Sequence, residues 1–230
     1  MYKWYIIVNM HIHRFQLDAL KKELHRPDIS ILLGPRQVGK TYLLKQLHTH
    51  AKSLGKKVIY FNLEIPADSR QFNQSPDDLF ILLTSYDVVF IDEFHYLKNA
   101  AKLFKAIYDS ASCVKLYVSG SSSIEIHKHI KESLAGRRLI TKIGPLTIDE
   151  WRQCYPPSTP WETFFEDYMK YGGLPGVIHE NTPNEKIRLL HDIYATYIQK
   201  DIKSLIKEEK YRHSIWRQEI DALTNVYQKK

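Results

Sequence analysis

Glycine, lysine and threonine stand near the N-terminus at a spacing that can bind phosphate. Residues 34–41 read G-P-R-Q-V-G-K-T, the G-x-x-x-x-G-K-T pattern of a phosphate-binding loop, or P-loop. Glycine lets backbone N–H groups close around an anion, and a helix that begins at the end of the loop points its positive dipole there. Lys40 can reach the β- and γ-phosphates of a nucleoside triphosphate, and the Thr41 hydroxyl can bind Mg²⁺. We expect the nucleotide-binding residues to be Gly34, Pro35, Arg36, Gln37, Val38, Gly39, Lys40, Thr41 and Tyr42.

Two carboxylates follow an apolar run further along the chain. Asp92 and Glu93 close residues 87–91 (D-V-V-F-I), which is typical of a strand at the centre of a parallel sheet. In this Walker B pattern, Asp92 binds Mg²⁺ opposite the Thr41 hydroxyl, and Glu93 polarises an attacking water. A strand followed by a polar loop would give the same letters, so the upstream P-loop is what favours the catalytic interpretation.

A hydroxyl follows the next apolar run, residues 114–118. Ser119 stands where it could reach the γ-phosphate or the attacking water. The segment 119–123 (S-G-S-S-S) is equally well explained as a loop in which Ser122 or Ser123 caps a helix. Both interpretations stay open at this point.

The elements that must position these residues alternate between strand and helix. A lead-in helix is predicted with Phe15, Leu17, Leu20 and Leu24 on one face, and residues 66–74 are polar and typical of turns. This alternation predicts an α/β domain of three layers with a mostly parallel five-stranded sheet. The predicted strands cover residues 29–33, 58–63, 87–91, 114–118 and 139–146.

No strand pattern reappears after residue 147. Helices are predicted from about residue 150, at 161–171 and at 184–210, with a sharp turn at 172–176 (G-G-L-P-G). The apolar stripe of the last helix indicates packing within a helical subdomain rather than a platform on which bases stack.

Composition bounds the class of protein without selecting a function. The 230 residues are 43% hydrophobic and 26% charged, as in an ordinary globular chain, with a net charge of +7 and a pI near 9.2. The positive charge favours an acidic partner such as nucleic acid, but a solvated basic surface explains it equally well, since no long Lys/Arg block is present. Cys113 and Cys154 belong to no paired motif, and no apolar run approaches the roughly 20 residues that span a bilayer. We therefore expect a cytoplasmic protein with reduced thiols and no membrane contact.

Six segments stand in an order that resembles a known family. They are GPRQVGKT, VVFIDEFHYL, SGSSS, SLAGRR, IGPLTIDEW and YGGLPGVI. Over about residues 12–205 the chain resembles the prokaryotic AAA-type (AAA+) P-loop ATPases, which implies an AAA+ core followed by a helical lid. We expect residues 1–27 to be an N-terminal extension and lead-in helix, with Met10 as the natural start, and residues 28–147 to be the P-loop core. Residues 148–230 would then be the lid and the start of a truncated C-terminal region.

The resemblance also implies roles for single residues. Lys40, Glu93 and Ser119 match catalytic positions, and Arg137 matches the arginine of the family's L-A-G-R motif. This guanidinium would neutralise charge on the γ-phosphoryl group, either in its own subunit or in a neighbouring copy of a homo-oligomer. A structural role for Arg137 and Arg138 is the alternative.

The leading hypothesis is an Mg²⁺-dependent ATPase that converts ATP to ADP and phosphate. A nucleotide-dependent switch or assembly module with negligible turnover is the main alternative. A P-loop small-molecule kinase is less favoured, because the Asp92–Glu93 pair suits the activation of water. A nucleic-acid partner rests on charge and family analogy alone.

Overall fold

The computed structural model describes residues 12–97, 99–110, 113–120 and 133–197. The chain divides into two compact units, Met1–His179 and Glu180–Lys230. The three-part division predicted from the sequence, with breaks after residues 27 and 147, stays a prediction.

The first unit is built on five parallel strands in the spatial order β2-β3-β4-β1-β5. The strands are β1 Ile29–Leu33, β2 Val58–Asn62, β3 Val88–Asp92, β4 Lys115–Gly120 and β5 Arg138–Lys142. The predicted α/β fold with a parallel five-stranded sheet is confirmed. Strand β5 ends four residues earlier than expected, and the segment that follows it contains Gly144 and Pro145, residues poorly suited to continue a ladder.

Helices alternate with the strands along the chain and continue after β5. In the first unit they are α1 Gln16–Lys22, α2 Lys40–Ser53, α3 Pro66–Gln71, α4 Pro76–Thr84, α5 Ala100–Asp109, α6 Ile148–Arg152, α7 Trp161–Tyr171 and α8 Pro175–Ile178. The second unit contains α9 Pro183–Tyr197. The predicted helix 184–210 therefore begins one residue early, and its part beyond residue 197 lies outside the described residues. Ser122 and Ser123, either of which was predicted to cap a helix, also lie outside them.

Each face of the sheet has its own apolar core, because alternate strand residues point to opposite faces. Ile31 and Leu33 of β1 pack with apolar residues of α4 and α5. Leu32, between them, packs on the other side with residues of α1 and α2. Central strands buried on both faces produce the continuous apolar runs seen in the sequence.

Two local expectations were wrong. Phe15 is 51% exposed, because it lies at the N-cap of α1, before the face that buries Leu17 and Leu20. Residues 66–71 form a short helix where turns were expected. Pro66 occupies its first turn, and the Asp68 carboxylate accepts the N–H of Asn62 at 2.8 Å, which ties the helix to the end of β2.

Within the described ranges, no helix combines the length and the apolar composition that a bilayer crossing requires.

Candidate nucleotide-binding site

The predicted phosphate loop joins β1 to α2. Helix α2 begins at Lys40, and Gly39 before it has a φ of 94°, a backbone conformation that glycine adopts readily. At the start of the loop, a Cβ added to Gly34 would lie only 2.0 Å from the carbonyl oxygen of Ile143. Both motif glycines are therefore required by the geometry, one for its dihedral angle and one for close backbone packing.

Lys40 folds back over the loop from which it comes. Its side chain is buried, and its Nζ donates hydrogen bonds to the carbonyl oxygens of Gly34 at 3.0 Å and Pro35 at 2.9 Å. Thr41 and Tyr42 follow in the first turn of α2 and are half-buried, and burial raises the pKa of Tyr42. The ammonium group is thus held inside the loop, where it can exchange carbonyl contacts for phosphate oxygens.

Asp92 ends β3 and is almost completely buried. Tyr60 donates its hydroxyl to one carboxylate oxygen of Asp92 at 2.9 Å, and Ser119 donates to the other. Ser119 belongs to β4, the strand between β1 and β3, where it pairs with Leu32. Its hydroxyl also accepts the N–H of Glu93 at 3.3 Å. A carboxylate fixed by two hydroxyls is an oxygen donor of the kind that Mg²⁺ prefers.

Glu93 follows β3 in a left-handed backbone conformation, with φ of 56°. Its Oε2 lies 3.1 Å from Nδ1 of His95. Burial alone would raise the pKa of Glu93, but the contact with His95 and the charges of Lys40 and Arg36 together lower it by more, so the net pKa lies below the ordinary value. Glu93 is therefore a carboxylate at neutral pH, which is the form that a general base needs.

The structure does not bring Arg137 to the loop of its own chain. The carbonyl oxygen of Arg137 accepts the N–H of Ile29 at the start of β1, whereas the loop follows the end of β1. Five strand residues at about 3.3 Å each separate these two positions by roughly 16 Å. The guanidinium instead contacts Asp109, with Nε 2.8 Å from Oδ1, and lies over the ring of Tyr108. Lys40, Asp92, Glu93 and Ser119 lie at the carboxyl edge of the sheet, and Arg137 lies at the amino edge.

Two buried charged residues, Arg14 and Glu150, contact the loop and the segment after β5, and neither was predicted to have a role. Arg14 donates through Nη1 to the carbonyl oxygen of Val38 at 2.7 Å and through Nη2 to that of Gly144 at 2.8 Å. Its Nε donates to Oε1 of Glu150 at 3.1 Å, and the exposed fractions of the two side chains are 2% and 0%. Glu150 could have been found through the IGPLTIDEW segment, but an arginine just before an amphipathic helix gives no such signal.

The turn at 172–176 also reaches the loop. Leu146 donates its N–H to the carbonyl oxygen of Gly173 at 2.6 Å, and a Cβ on Gly173 would lie 2.3 Å from the Leu146 oxygen. The Cγ of Pro175 lies 3.8 Å from where a Cβ on Gly39 would stand. The IGPLTIDEW and YGGLPGVI segments therefore meet beside the phosphate loop.

Comparison with known proteins places the chain in a family. The AAA domain family model matches residues 26–152, and the chain belongs to that family of nucleotide-binding ATPases, as the resemblance predicted. Among solved structures, AMPPCP-bound DnaA from Aquifex aeolicus shares the fold with a TM-score of 0.51 at 14% identity, over 87% of this chain and 69% of that one.

The curated relatives are longer than this chain. An uncharacterized protein of Methanocaldococcus jannaschii is 29% identical over 216 residues, which are 86% of this chain and 46% of the relative. An uncharacterized protein of Haemophilus influenzae is 24% identical over 185 residues, 76% of this chain and 46% of the relative. The chain spans less than half the length of these relatives.

Proposed function

We propose that the chain binds ATP with Mg²⁺ and hydrolyses it to ADP and phosphate. The observation that carries the proposal is the position of the Lys40 loop, Asp92, Ser119 and Glu93 at one edge of a single sheet, where the contact with His95 and the charges of Lys40 and Arg36 lower the pKa of Glu93. The related fold of DnaA holds AMPPCP, a triphosphate nucleotide analogue, which supports the choice of ligand.

Each residue has a distinct role in this reaction. The N–H groups of residues 34–41 receive the phosphates, and Lys40 moves from the loop carbonyls to the phosphate oxygens. Thr41 and Asp92 would hold Mg²⁺, which when bound neutralises charge on the β- and γ-phosphates. Glu93 accepts a proton from water as the water oxygen attacks the γ-phosphorus, and the bond to the bridging oxygen of ADP breaks. Ser119 keeps Asp92 and the Glu93 peptide in place.

Two substitutions test this assignment through nucleotide binding and phosphate release. Lys40→Ala should abolish ATP binding, because it removes the ammonium group that would exchange its contacts with the loop carbonyls for contacts with the phosphate oxygens. Glu93→Gln should bind ATP as the wild type does and lose most of the turnover. Lys45→Ala, an exposed lysine of the same helix, is the matched control and should behave as wild type. Full hydrolysis by the Glu93→Gln protein would contradict the assignment of the base.

A nucleotide-operated switch is the second candidate, and the position of Arg137 favours it. Because Arg137 contacts Asp109 at the amino edge, a single subunit does not bring this arginine to its own loop. A lone subunit would then bind ATP and turn it over very slowly, with Arg137 acting only across a homo-oligomer. Phosphate release per subunit that rises with protein concentration supports the assembling ATPase, and release that stays flat despite tight ATP binding supports the switch.

Partner and location are separate proposals. The net charge of +7 supports contact with nucleic acid, and such binding should weaken as salt rises from low to physiological concentration. Binding that is insensitive to salt would argue against contact with the phosphate backbone. We also propose that the chain works in the cytoplasm, where the free thiols of Cys113 and Cys154 would stay reduced.

A further inference from the structure

Arg14 forms an ion pair with the buried carboxylate of Glu150 and also donates hydrogen bonds to two backbone carbonyls. All three nitrogens of the guanidinium are used: one on the carboxylate of Glu150, and two on the carbonyl oxygens of Val38 and Gly144. Such a buried pair is weak evidence for stability, because well-packed apolar residues of similar volume often do as well. The role of the pair is therefore better explained by the two backbone groups that Arg14 holds in place, the carbonyls of Val38 and Gly144.

Arg14 fixes the orientation of one peptide group in the phosphate loop. Because a peptide unit is planar and trans, a carbonyl that points at Arg14 forces the N–H of the next residue to point the opposite way. The carbonyl of Val38 accepts from Arg14 at 2.7 Å, so the N–H of Gly39 points away from the guanidinium. This peptide adjoins Gly39, whose φ is 94° and whose lack of a Cβ would otherwise let the peptide turn.

Glu150 extends the same contact to α6. One of its oxygens accepts from Arg14 and from the N–H of Phe15 at 2.9 Å. The other accepts the N–H of Thr147 at 2.9 Å, and the Thr147 hydroxyl accepts the N–H of Glu150 at 3.2 Å, which completes a capping box at the start of α6. Val38 of the loop is therefore connected to the first turn of α6 through two side chains, Arg14 and Glu150.

We propose that Arg14 and Glu150 form a clamp that presents the Gly39 N–H to a nucleotide phosphate and couples occupancy of the loop to the first turn of α6. Arg14 is a positioning residue in this proposal, since it acts through the Val38–Gly39 peptide. The proposal rests on the proposed function, because it needs ATP at the loop.

The test compares Arg14→Lys with Thr147→Val in ATP affinity and in thermal stability. Lysine keeps the charge and the aliphatic stem, but its single nitrogen cannot serve three acceptors at the places that the guanidinium reaches. Loss of a hydrogen bond to a charged group predicts ATP binding about 10-fold weaker or more in Arg14→Lys. Thr147→Val breaks the capping box without touching Arg14, so it should lower the unfolding temperature and leave ATP affinity within about twofold of wild type. A purely structural role would make affinity follow stability in both variants.

Hydrogen exchange tests the coupling directly. The amides of Glu150 and Trp151 donate to Thr147. In the wild type, saturating ATP should slow their exchange relative to the ATP-free protein, and in Arg14→Lys it should leave their exchange rate unchanged. If Arg14→Lys does not fold, Glu150→Gln replaces it: this variant keeps both carbonyl contacts of Arg14, loses the charge pair, and should still weaken ATP binding by about threefold or more.

The outcomes separate this inference from the proposed function. If the wild type binds ATP and Arg14→Lys binds it within about twofold as tightly, the clamp is overturned and the proposed function stands. The same holds if the wild type binds ATP but its Glu150 and Trp151 amides exchange no more slowly with ATP than without it. A wild-type chain that binds no ATP overturns both.

Discussion

The pKa of Glu93 reflects opposing effects of burial and of neighbouring charges, and its net shift can be tested by measuring stability as a function of pH. Burial would raise its pKa, but the contact with His95 and the charges of Lys40 and Arg36 bring the pKa below the ordinary value of 4.5. A carboxylate with a lowered pKa in the folded state stabilises the protein above the unfolded pKa, and this contribution is lost as pH falls below about 4.5. We expect the free energy of unfolding to fall more steeply below pH 4.5 in the wild type than in Glu93→Gln.

Denaturant titrations at several pH values between 7 and 3.5 measure this difference. Lys40→Ala gives an internal check, because removal of the lysine charge should bring the pKa of Glu93 closer to its ordinary value and reduce the difference. Parallel stability curves for the wild type and Glu93→Gln would show that the environment of Glu93 does not lower its pKa.

Tyr60 positions Asp92 through a single hydroxyl. Burial and the neighbouring Asp92 raise the pKa of Tyr60 far above its ordinary value, so the hydroxyl is a hydrogen-bond donor at neutral pH. Tyr60→Phe keeps the ring and leaves one oxygen of Asp92 without this donor. Because partners that orient a metal ligand typically affect metal affinity 10- to 100-fold, we expect the Mg²⁺ concentration needed for half-maximal ATP-analogue binding to rise about 10-fold.

Tyr117→Phe is the matched control for this substitution. Tyr117 lies on β4, and its hydroxyl donates to the carbonyl oxygen of Leu20 at 2.6 Å, not to Asp92. Loss of that bond should cost about 1–3 kcal/mol of stability, because it leaves a buried carbonyl unpaired, and should leave the Mg²⁺ requirement unchanged. An equal Mg²⁺ requirement in both variants would assign Tyr60 a packing role only.

At the scale of elements, the sequence predicted the features that depend on residues close together in the chain, namely the strands and the phosphate loop. The central strands β1, β3 and β4 are buried on both faces and give continuous apolar runs, while the half-buried edge strands β2 and β5 are rich in residues that favour strands. All five strands were therefore found, and the loop was placed correctly between β1 and α2. The order of the strands could not be read in this way, because the insertion of β4 between β1 and β3 depends on contacts distant in sequence. For that reason the role of Ser119 was left open, and Tyr60 and Arg14 were missed: each acts on a residue at least 24 positions away.

The loop and the segment after β5 pack so closely that only glycine fits between them. Gly34→Ala would bring a methyl group to 2.0 Å from the Ile143 oxygen, which forces the loop away from that segment. Overpacking of this kind costs about 1–3 kcal/mol of stability, and we expect ATP binding to weaken as well because the first loop residue moves. Gly144→Ala is the control, since a Cβ there meets no atom within 4 Å, and its stability should stay within about 0.5 kcal/mol of wild type. Equal behaviour of the two variants in denaturation and ATP-binding measurements would contradict the packing argument.

At the scale of the whole molecule, the parallel sheet separates two sets of polar residues. The carboxyl edge holds the loop, Asp92 and Glu93. At the amino edge Arg137 contacts Asp109, and Lys115 donates to the carbonyl oxygen of Asp28. If Arg137 acts on a phosphate, we therefore expect that phosphate to lie in another subunit, because a head-to-tail assembly would bring the amino edge of one copy to the carboxyl edge of the next.

Mixing of two inactive variants tests whether Arg137 acts between subunits. Arg137→Ala should lose most of its turnover while it still binds ATP, because an arginine finger contributes about 10³- to 10⁵-fold to the rate. Lys40→Ala cannot bind ATP but keeps Arg137. In a random equal mixture, half of the subunits have an intact loop and half of those have a neighbour with Arg137, so head-to-tail assembly predicts about a quarter of the wild-type phosphate release.

Asp109→Ala distinguishes a catalytic role of Arg137 from a structural one. This variant removes the partner of Arg137 and keeps the guanidinium, so a finger that must leave Asp109 to reach a neighbour should work at least as well as in the wild type. If the pair serves only to hold α5 beside β5, Asp109→Ala and Arg137→Ala should lower stability and phosphate release together, and the mixture with Lys40→Ala should recover nothing. Recovery in the mixture together with retained turnover in Asp109→Ala fits only an arginine that acts in a neighbouring site.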